Sequence, residues 1–289
     1  MIARIPPAPP GSPPPQIPDD ELAHPRVRTV FKLIGATLSL LVRDPIGRVV
    51  GSTFVLLMLW GYHGRIELLG LVTKQWTGPS SWGPGRGRLI DGLPWDQEWI
   101  SFAIGALLLV VVPCVLIKRV YRQRLSDYGL GLAKPGRGKL ALLSALILFA
   151  IGAPGILLGA HDAEIRATYP LFHSFTDAGQ LAVYEAGYLV FFLVIEFTFR
   201  GHLLFGLFHA SSPTKSRLFV GYDAIFVSML SYTAWHLGKP VSELWSTLAW
   251  GVVAGTIVLA TGTIWPIVIV HWLLNVLLDV VIWNGRGVG

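Results

Sequence analysis

The amino-acid sequence predicts an all-α fold: a polytopic membrane bundle of about seven transmembrane helices with one additional interfacial helix. Of its 289 residues, 53% are hydrophobic and only 14% are charged, and the mean hydropathy is +0.58. An ordinary soluble domain carries about 25% charged residues. The apolar residues also form runs that approach the roughly 20 residues a bilayer-spanning helix needs. Lipid is therefore the expected solvent for most of the chain.

The N-terminal segment is proline-rich and has no apolar core of the kind that a cleavable signal peptide needs. We predict a disordered, polyproline-like tail over residues 1–27. A docking site for a proline-recognition domain is the functional alternative, and a solvated leader is the favoured one. Residues 31–42 are apolar but too short to span a bilayer, and Lys32 and Arg43 lie beside them, so we predict a helix that lies in the interface.

Seven further apolar runs predict the membrane-spanning helices. Six approach the spanning length, and the seventh, residues 244–260, is shorter but almost wholly apolar. The six are residues 48–62, 99–117, 140–159, 181–199 with an extension toward His209, 218–237 and 264–283. We divide the chain into the tail (1–27), a segment of N-terminal membrane helices with an outer loop (28–139), and a helical membrane core (140–289).

The positive charges predict the orientation of these helices. The connection 118–139 holds seven basic residues and a single acid, Asp127, so it is expected in the cytoplasm. The connection 160–180 holds three acids against Arg166 alone and is expected outside. We therefore expect an integral membrane protein, in a bacterial inner membrane, with a cytoplasmic N-terminus.

The charge and the cysteine content argue against several structural and functional classes. The net charge is +6, but the basic residues occupy short segments between apolar runs rather than one stripe, so no nucleic-acid partner is expected. Cys114 is the only cysteine. A single cysteine rules out an intramolecular disulfide framework and a thiolate metal cluster. Since Cys114 is not near the polar residues described next, a cysteine protease would lack its nucleophile there.

Ionisable groups within apolar runs cost about 2.5 to 3.5 kcal/mol each on insertion scales, so each one is a site hypothesis. The run LVIEFTFRGHLLFG places Glu196 and Arg200 four residues apart, on one helical face. A purely structural ion pair is the alternative for these two residues. The run SYTAWHLGKP places His236 at the end of the next apolar run, one turn after Tyr232.

The last apolar run adds a third set of polar groups. In WPIVIVHWLLNVLLD, His271 and Asn275 share one helical face. A single histidine in a span is more often a packing residue. Polar groups on three separate helices must instead find one another or water, because hydrocarbon offers them no partner. The pattern therefore predicts a shared, hydrated site.

These stretches resemble the CPBP family of intramembrane peptidases, also called Abi, which includes CAAX prenyl endopeptidases and bacteriocin-immunity-type proteins. The signature of that family is EExxxR, FxxxH and HxxxN on three helices. The corresponding stretches here are IEFTFR, which begins at Ile195 and is followed by Gly201, then YTAWH, which ends at His236, and HWLLN, which begins at His271. The resemblance covers roughly residues 180–283.

The resemblance implies hydrolysis of a peptide bond within the membrane. A glutamate would activate water as general base, while histidine and asparagine side chains polarise the carbonyl and stabilise the oxyanion. The implied catalytic residues are Glu196, Arg200, His236, His271 and Asn275. An older interpretation makes Glu196, His236 and His271 ligands of a divalent metal such as zinc. The sequence lacks HExxH, so the usual zincin arrangement is absent.

One departure from the family pattern keeps a second function open. Ile195 replaces the first glutamate of the family's pair, and Glu196 points about 100° away from that position. Glu185, eleven residues earlier, lies about 16 Å along the helix axis and is a poor substitute. The alternative is a catalytically inactive CPBP-like protein that binds or scaffolds membrane partners. Transport ranks last, because inverted repeats and paired interrupted helices are missing.

The expected partners are membrane lipid and a protein or peptide with a membrane-proximal or C-terminal cleavage site. A prenylated tail, a bacteriocin-related peptide and a C-terminal sorting signal all fit this description, and the sequence does not choose among them.

Overall fold

A computed structural model describes residues 27–60, 96–210 and 217–285, and all regular structure in these ranges is helical. The all-α prediction is confirmed. Apart from their last few residues, the proline-rich tail (1–27) and the outer loop (63–98) lie outside the described residues.

The predicted apolar runs correspond to helices with nearly the same bounds. In chain order the helices are α1 (Val27–Arg43), α2 (Pro45–Met58), α3 (residues 96–120), α4 (Gly138–Gly159), α5 (Ala163–Thr168), α6 (Ala178–Ala210), α7 (Arg217–Trp235), α8 (Val241–Thr261) and α9 (Trp265–Gly285). Within the described residues, five of these helices are long and apolar enough to cross a membrane: α3, α4, α6, α8 and α9. The count of seven spans stays a prediction.

Aspartate side chains cap several helix N-termini. Asp44 accepts a hydrogen bond from the Gly47 amide at 2.9 Å, and Pro45 occupies the first helical position of α2. Asp177 accepts one from the Gln180 amide at 2.9 Å at the start of α6. This bond holds the pKa of the Asp177 carboxyl below its usual range. The caps explain why α2 and α6 begin where they do.

Helix α6 is the central element of the bundle, and it packs against α2, α3, α7, α8 and α9. Its first part is an ordinary α-helix over Ala178–Glu196, and it then widens into a π-helix over Phe197–Phe205, in which all nine residues are buried. Segments of π-helix are rare and often lie at functional sites. The transition places Glu196 at the junction between the two geometries.

Two glycines allow the helices around α6 to approach closely. A Cβ atom on Gly251 of α8 would lie 3.0 Å from the Cα atom of Met229 on α7. A Cβ atom on Gly152 of α4 would lie 2.8 Å from the Cδ1 atom of Leu274 on α9. Both positions exclude any larger side chain without movement of a neighbour. These contacts hold α8 and α9 at fixed distances from the rest of the bundle.

The start of α9 is anchored by the connection that follows α3. The Ile264 amide donates to the Gly129 carbonyl at 3.0 Å, and the Thr263 hydroxyl donates to the Gly131 carbonyl at 2.7 Å. Gly262 follows the last residue of α8, and its φ of +77° is a left-handed conformation that glycine adopts without strain. The turn between α8 and α9 is thus fixed, and with it the side of α9 that faces α6.

Candidate active site

Glu196 is the residue on which the polar groups of three helices converge. Its side chain is 0% exposed. One carboxylate oxygen, Oε1, lies 2.6 Å from Nδ1 of His271 on α9 and accepts a hydrogen bond from Nε1 of Trp250 on α8 at 3.1 Å. The other oxygen, Oε2, lies 3.3 Å from Nη1 of Arg200. The predicted meeting of Glu196, Arg200 and His271 is therefore present in the fold.

These contacts define the hydrogen-bonding role of His271. An ionised carboxylate only accepts hydrogen bonds, and the Arg200 guanidinium stabilises the ionised form of Glu196. His271 therefore donates through Nδ1, and in the neutral imidazole Nε2 is left as an acceptor. The His271 side chain is 23% exposed, whereas that of Glu196 is fully enclosed. Nε2, the nitrogen that can still accept a proton, therefore belongs to His271, the more exposed member of the pair.

Aromatic rings hold the His271 imidazole in place. The centroid of the Phe192 ring lies 4.6 Å away, and that of the Trp250 ring lies 4.7 Å away. Trp250 thus packs on the histidine and donates a hydrogen bond to the same carboxylate oxygen that accepts from it. A single orientation of His271 results.

Arg200 connects this group to α7. Its side chain is 0% exposed, and its guanidinium carbon lies 4.0 Å from the ring centroid of Tyr232. A guanidinium over an aromatic face is attracted by the ring quadrupole. Arg200 therefore has two partners, the carboxylate of Glu196 and the face of Tyr232.

His236 lies at the end of α7, and Tyr232 separates it from the Glu196 group. The centroids of the His236 and His271 rings lie 4.4 and 6.5 Å from that of Tyr232. Nδ1 of His236 lies 2.8 Å from the Tyr232 carbonyl oxygen, to which it donates. Nε2 faces Oε1 of Glu243 on α8 at 3.9 Å. The structure thus brings His236 to the edge of the site rather than onto Glu196.

Two groups from the connections hold Glu243 in position. The Tyr169 hydroxyl donates to Oε1 of Glu243 at 2.8 Å, and Nζ of Lys239 donates to the Tyr169 hydroxyl at 3.0 Å. Burial, reinforced by the nearby Glu243 carboxylate, raises the pKa of Tyr169 well above its ordinary range. Tyr169 is consequently a neutral donor at any physiological pH.

Asn275 lies one turn beyond His271, and a second acid holds its amide. Nδ2 of Asn275 donates to Oδ2 of Asp279 at 3.1 Å. The carboxyl of Glu185 on α6 lies against both Asn275 and Asp279. Since α9 runs antiparallel to α6, Glu185 meets Asn275 at a different level of the bundle from that at which Glu196 meets His271.

Sequence reasoning missed several contributors to this site. Trp250, Glu243 and Asp279 carry no mark in the family motifs, although Asp279 lies in an apolar run four residues after Asn275, which is the spacing of a shared helical face. Glu185 lies eleven residues before Glu196 on α6, at another level of the helix. Its neighbours on α9 depend on how two helices dock, and the pattern of one helix does not contain that information.

In the described structure, the three suggested metal ligands do not converge on one position. Across the described residues no three or more His, Cys, Asp or Glu side chains are arranged to hold a metal ion. Of the three suggested ligands, His271 uses Nδ1 on Glu196, and His236 turns Nε2 toward Glu243. The metal interpretation of Glu196, His236 and His271 stays a prediction from the sequence, and no step proposed below uses a metal.

Comparison with known proteins identifies a family match in the last third of the chain. Residues 178–277 match the family model described as type II CAAX prenyl endopeptidase Rce1-like. The matched segment runs from the start of α6 to just beyond Asn275 and contains every predicted site residue. No curated protein and no solved structure matches the chain.

The fold and the match together define the class. The chain is an all-α protein with several membrane-length helices, and its last third carries a CAAX-type domain of an intramembrane protease family. The resemblance to CPBP peptidases drawn from the three motifs is confirmed.

Proposed function

We propose that the protein is an intramembrane endopeptidase that hydrolyses a peptide bond in a membrane-associated protein or in a C-terminal tail. The observation that carries this proposal is the pair formed by Glu196 and His271, whose oxygen and Nδ1 atoms are 2.6 Å apart. The pair leaves Nε2 of a partly exposed imidazole free to accept a proton. Acceptance of a proton from water is the first requirement of hydrolysis without a protein nucleophile.

In the proposed mechanism, His271 takes the proton of water at Nε2. The resulting hydroxide attacks the carbonyl carbon of the scissile bond, and the carbonyl oxygen becomes an oxyanion. When the C–N bond breaks, Nε2 returns its proton to the leaving amine. The products are a new carboxylate-bearing chain and a free amine, and His271 regains its starting state.

Glu196 acts through His271 in this mechanism. The carboxylate fixes the tautomer and the orientation of the imidazole and stabilises the imidazolium that forms when Nε2 is protonated. Arg200 and Trp250 hold the carboxylate itself. The glutamate thereby still activates water, but with a histidine between it and the water molecule, so the replacement of the first family glutamate by Ile195 does not remove the base.

Asn275 and His236 are proposed to stabilise the oxyanion. Nδ2 of Asn275 donates one hydrogen to Asp279, and the second hydrogen of this amide is the one proposed to meet the oxyanion. Nε2 of His236 faces the Glu243 carboxylate at 3.9 Å and would donate to the oxyanion only when it carries a proton.

A scaffold without activity is the second candidate function, and Ile195 is the observation that favours it. Its side chain is 1% exposed and belongs to the apolar core, so no acid occupies the position of the first family glutamate. The variant Ile195→Glu separates the two candidates. Hydrolysis that appears only in this variant would favour the scaffold, whereas hydrolysis by the unaltered protein favours the peptidase.

The direct test is hydrolysis by the purified full chain in liposomes. Suitable probes are a farnesylated C-terminal peptide, its unprenylated counterpart and a peptide with one transmembrane segment, all followed by mass spectrometry in oxygen-18 water. A peptidase incorporates the label into the new carboxylate. Loss of the labelled product in Glu196→Gln, His236→Ala and His271→Ala, with retention in the matched control His161→Ala, would support the proposed residues. Full activity in all three would remove them from the mechanism.

A further inference from the structure

A pair of buried carboxyl groups lies beside the proposed oxyanion site, and the mechanism above does not use it. Glu185 on α6 is 3% exposed, and Asp279 on α9 is 0% exposed. The two carboxyls lie against each other and against Asn275. Both oxygens of Glu185 are hidden from solvent, and neither has a hydrogen-bond partner of good geometry.

Phenols and further carboxyls lie around the pair in the described part of the chain. The phenols of Tyr184 and Tyr188 lie near both carboxyls, and Tyr169, whose hydroxyl accepts from Nζ of Lys239 at 3.0 Å, lies near Asp279. The carboxyls of Glu98 and Glu243 lie just beyond these phenols. The Glu196 carboxylate, in contrast, has the guanidinium of Arg200 3.3 Å away. Two adjacent carboxylates in a region of low dielectric cannot both be ionised, because their repulsion is not screened by water.

We propose that Glu185 and Asp279 share one proton and that together they hold the side-chain amide of Asn275 in the orientation the reaction needs. The inference rests on the proposed function, since the orientation of Asn275 matters for catalysis only if its amide meets the oxyanion. Glu185 and Asp279 are positioning residues in this account, because they act through Asn275.

The hydrogen bond to Asn275 assigns a role to each acid. Oδ2 of Asp279 accepts from Nδ2 of Asn275, so Asp279 provides the carboxylate. The proton resides mainly on Glu185, which donates it toward Asp279. Asp279 thereby accepts from two sides, and Asn275 cannot turn its amide oxygen toward Asp279 without placing two acceptors in contact.

A further contact fixes the register of α6 and α9 at this level. Nε1 of Trp272 donates to the backbone carbonyl oxygen of Glu185 at 2.8 Å. Trp272 lies between His271 and Asn275 in the sequence. The backbone that carries Glu185 is therefore tied to the same helical turn of α9 that carries both proposed catalytic side chains.

The shared proton predicts how pH acts on the protein. An ordinary glutamate in water releases its proton near pH 4.3, whereas the pair retains one proton above that pH. The native state then binds more protons than the unfolded state, so its stability falls as the pH rises until the pair loses the proton. At that point two adjacent negative charges repel each other, and the anchor of Asn275 is disturbed.

The test compares the full-length protein in detergent with variants that remove one acid and leave its shape. We would measure the Tm and the kcat and KM for the cleaved peptide across neutral and alkaline pH in the wild type, Glu185→Gln and Asp279→Asn. The Tm of the wild type is expected to fall as the pH rises through this range and to level off where the pair loses its proton, and kcat is expected to fall at that upper end. Glu185→Gln is expected to lack the drop in Tm, and Asp279→Asn is expected to reduce it, because Glu185 stays buried but no longer faces a second carboxylate. In both variants kcat, relative to its own maximum, no longer falls there. The exposed acid Glu164 gives the control Glu164→Gln, for which wild-type profiles are expected.

A third variant, Asp279→Leu, removes the anchor of Asn275. A drop in kcat of about tenfold or more with an unchanged KM is expected, because the oxyanion contact is made in the transition state. A lowered Tm with an unchanged kcat for the folded fraction would show a structural role only and overturn the proposal. The Tm measurements need no substrate, so identical pH profiles in the wild type and in both isosteric variants would overturn the shared proton even if the protein hydrolyses peptides. Absence of any hydrolysis, with a Tm drop that is lost in Glu185→Gln and reduced in Asp279→Asn, would instead overturn the proposed function and leave the shared proton supported.

Discussion

Two glutamates on helix α6 illustrate two ways of placing a carboxyl group in a membrane bundle. Glu196 and Glu185 are both almost completely buried. Glu196 is surrounded by donors from three residues, including the guanidinium of Arg200. Glu185 lies against a second acid, Asp279. The first is stabilised as a charge, and the second is expected to be stabilised by a proton, so burial alone does not decide the protonation state of a carboxyl group.

The largest effect on kcat is expected for the replacement of His271, the residue that Glu196 holds in place. Replacement of His271 by alanine removes the proposed proton acceptor, and general acid–base catalysis typically contributes about 10²- to 10⁴-fold. We expect kcat to fall by about that factor, as measured by single-turnover hydrolysis of a labelled peptide. The loop variant His161→Ala has the same chemical change outside the site and keeps the wild-type rate. A rate in His271→Ala within about threefold of wild type would contradict the mechanism, since the smallest effect expected of a general base is far larger.

The free energy of unfolding should also distinguish Glu196 from Glu185. Glu196→Gln leaves the buried guanidinium of Arg200 without its carboxylate, and breaking a buried ion pair from one side costs about 3 to 5 kcal/mol. Glu185→Gln imitates the protonated carboxyl, so a loss below about 1 kcal/mol is expected, as for other substitutions that retain shape and hydrogen bonding. Unfolding titrations in mixed micelles near neutral pH measure both values. Equal losses of stability in the two variants would contradict the proposal that Glu196 is ionised and Glu185 is protonated.

A double variant tests the cause of that loss. Arg200→Met removes the stranded charge, so the pair Glu196→Gln with Arg200→Met should recover part of the stability that Glu196→Gln alone loses. Additive losses in the double variant would mean that the ion pair is not what Glu196 contributes.

The sequence predicted much of this fold, because the spacing and composition of a helix are local properties. The extension of α6 from residue 181 toward His209 follows from a continuous apolar run, and Glu196 and Arg200 share a face because they are four residues apart. The family motifs predicted that His271 lies at the same site. The partners that come from the docking of helices could not be predicted. Trp250 meets Glu196 only because α8 packs on the π-helical part of α6, and Glu185 meets Asp279 only because α6 and α9 are antiparallel and in a particular register.

Replacement of Trp250, which donates to Glu196, is expected to have a smaller effect. Trp250→Phe keeps an aromatic ring near His271 but removes the Nε1–H donor to Oε1 of Glu196. A hydrogen bond to a charged group contributes about 1.5 to 3 kcal/mol, and we expect a stability loss in this range together with a reduced kcat. Thermal unfolding and initial rates measure the two effects. Unaltered stability and rate would mean that His271 and Arg200 suffice to hold the carboxylate.

The smallest expected effect concerns the other partner of Arg200. Tyr232→Leu removes the ring 4.0 Å from the guanidinium, and cation–π interactions contribute about 0.5 to 2 kcal/mol. Tyr232→Phe keeps the aromatic face and removes only the hydroxyl, so it serves as the matched control, with a smaller loss of stability than Tyr232→Leu. The free energy of unfolding of both variants decides the point: equal values would show that the ring does not stabilise Arg200.

The tautomer of His271 tests the central claim most directly. Nitrogen-15 NMR of the histidine-labelled protein in detergent micelles distinguishes a protonated ring nitrogen from one that carries a lone pair, and His271→Gln assigns the signal by its disappearance. The account predicts that Nδ1 of His271 is protonated and Nε2 is not, and that this preference is lost in Glu196→Gln. Protonation of Nε2 instead, with Nδ1 carrying the lone pair, would contradict the account, because His271 could then take no proton from water at the accessible edge of its ring.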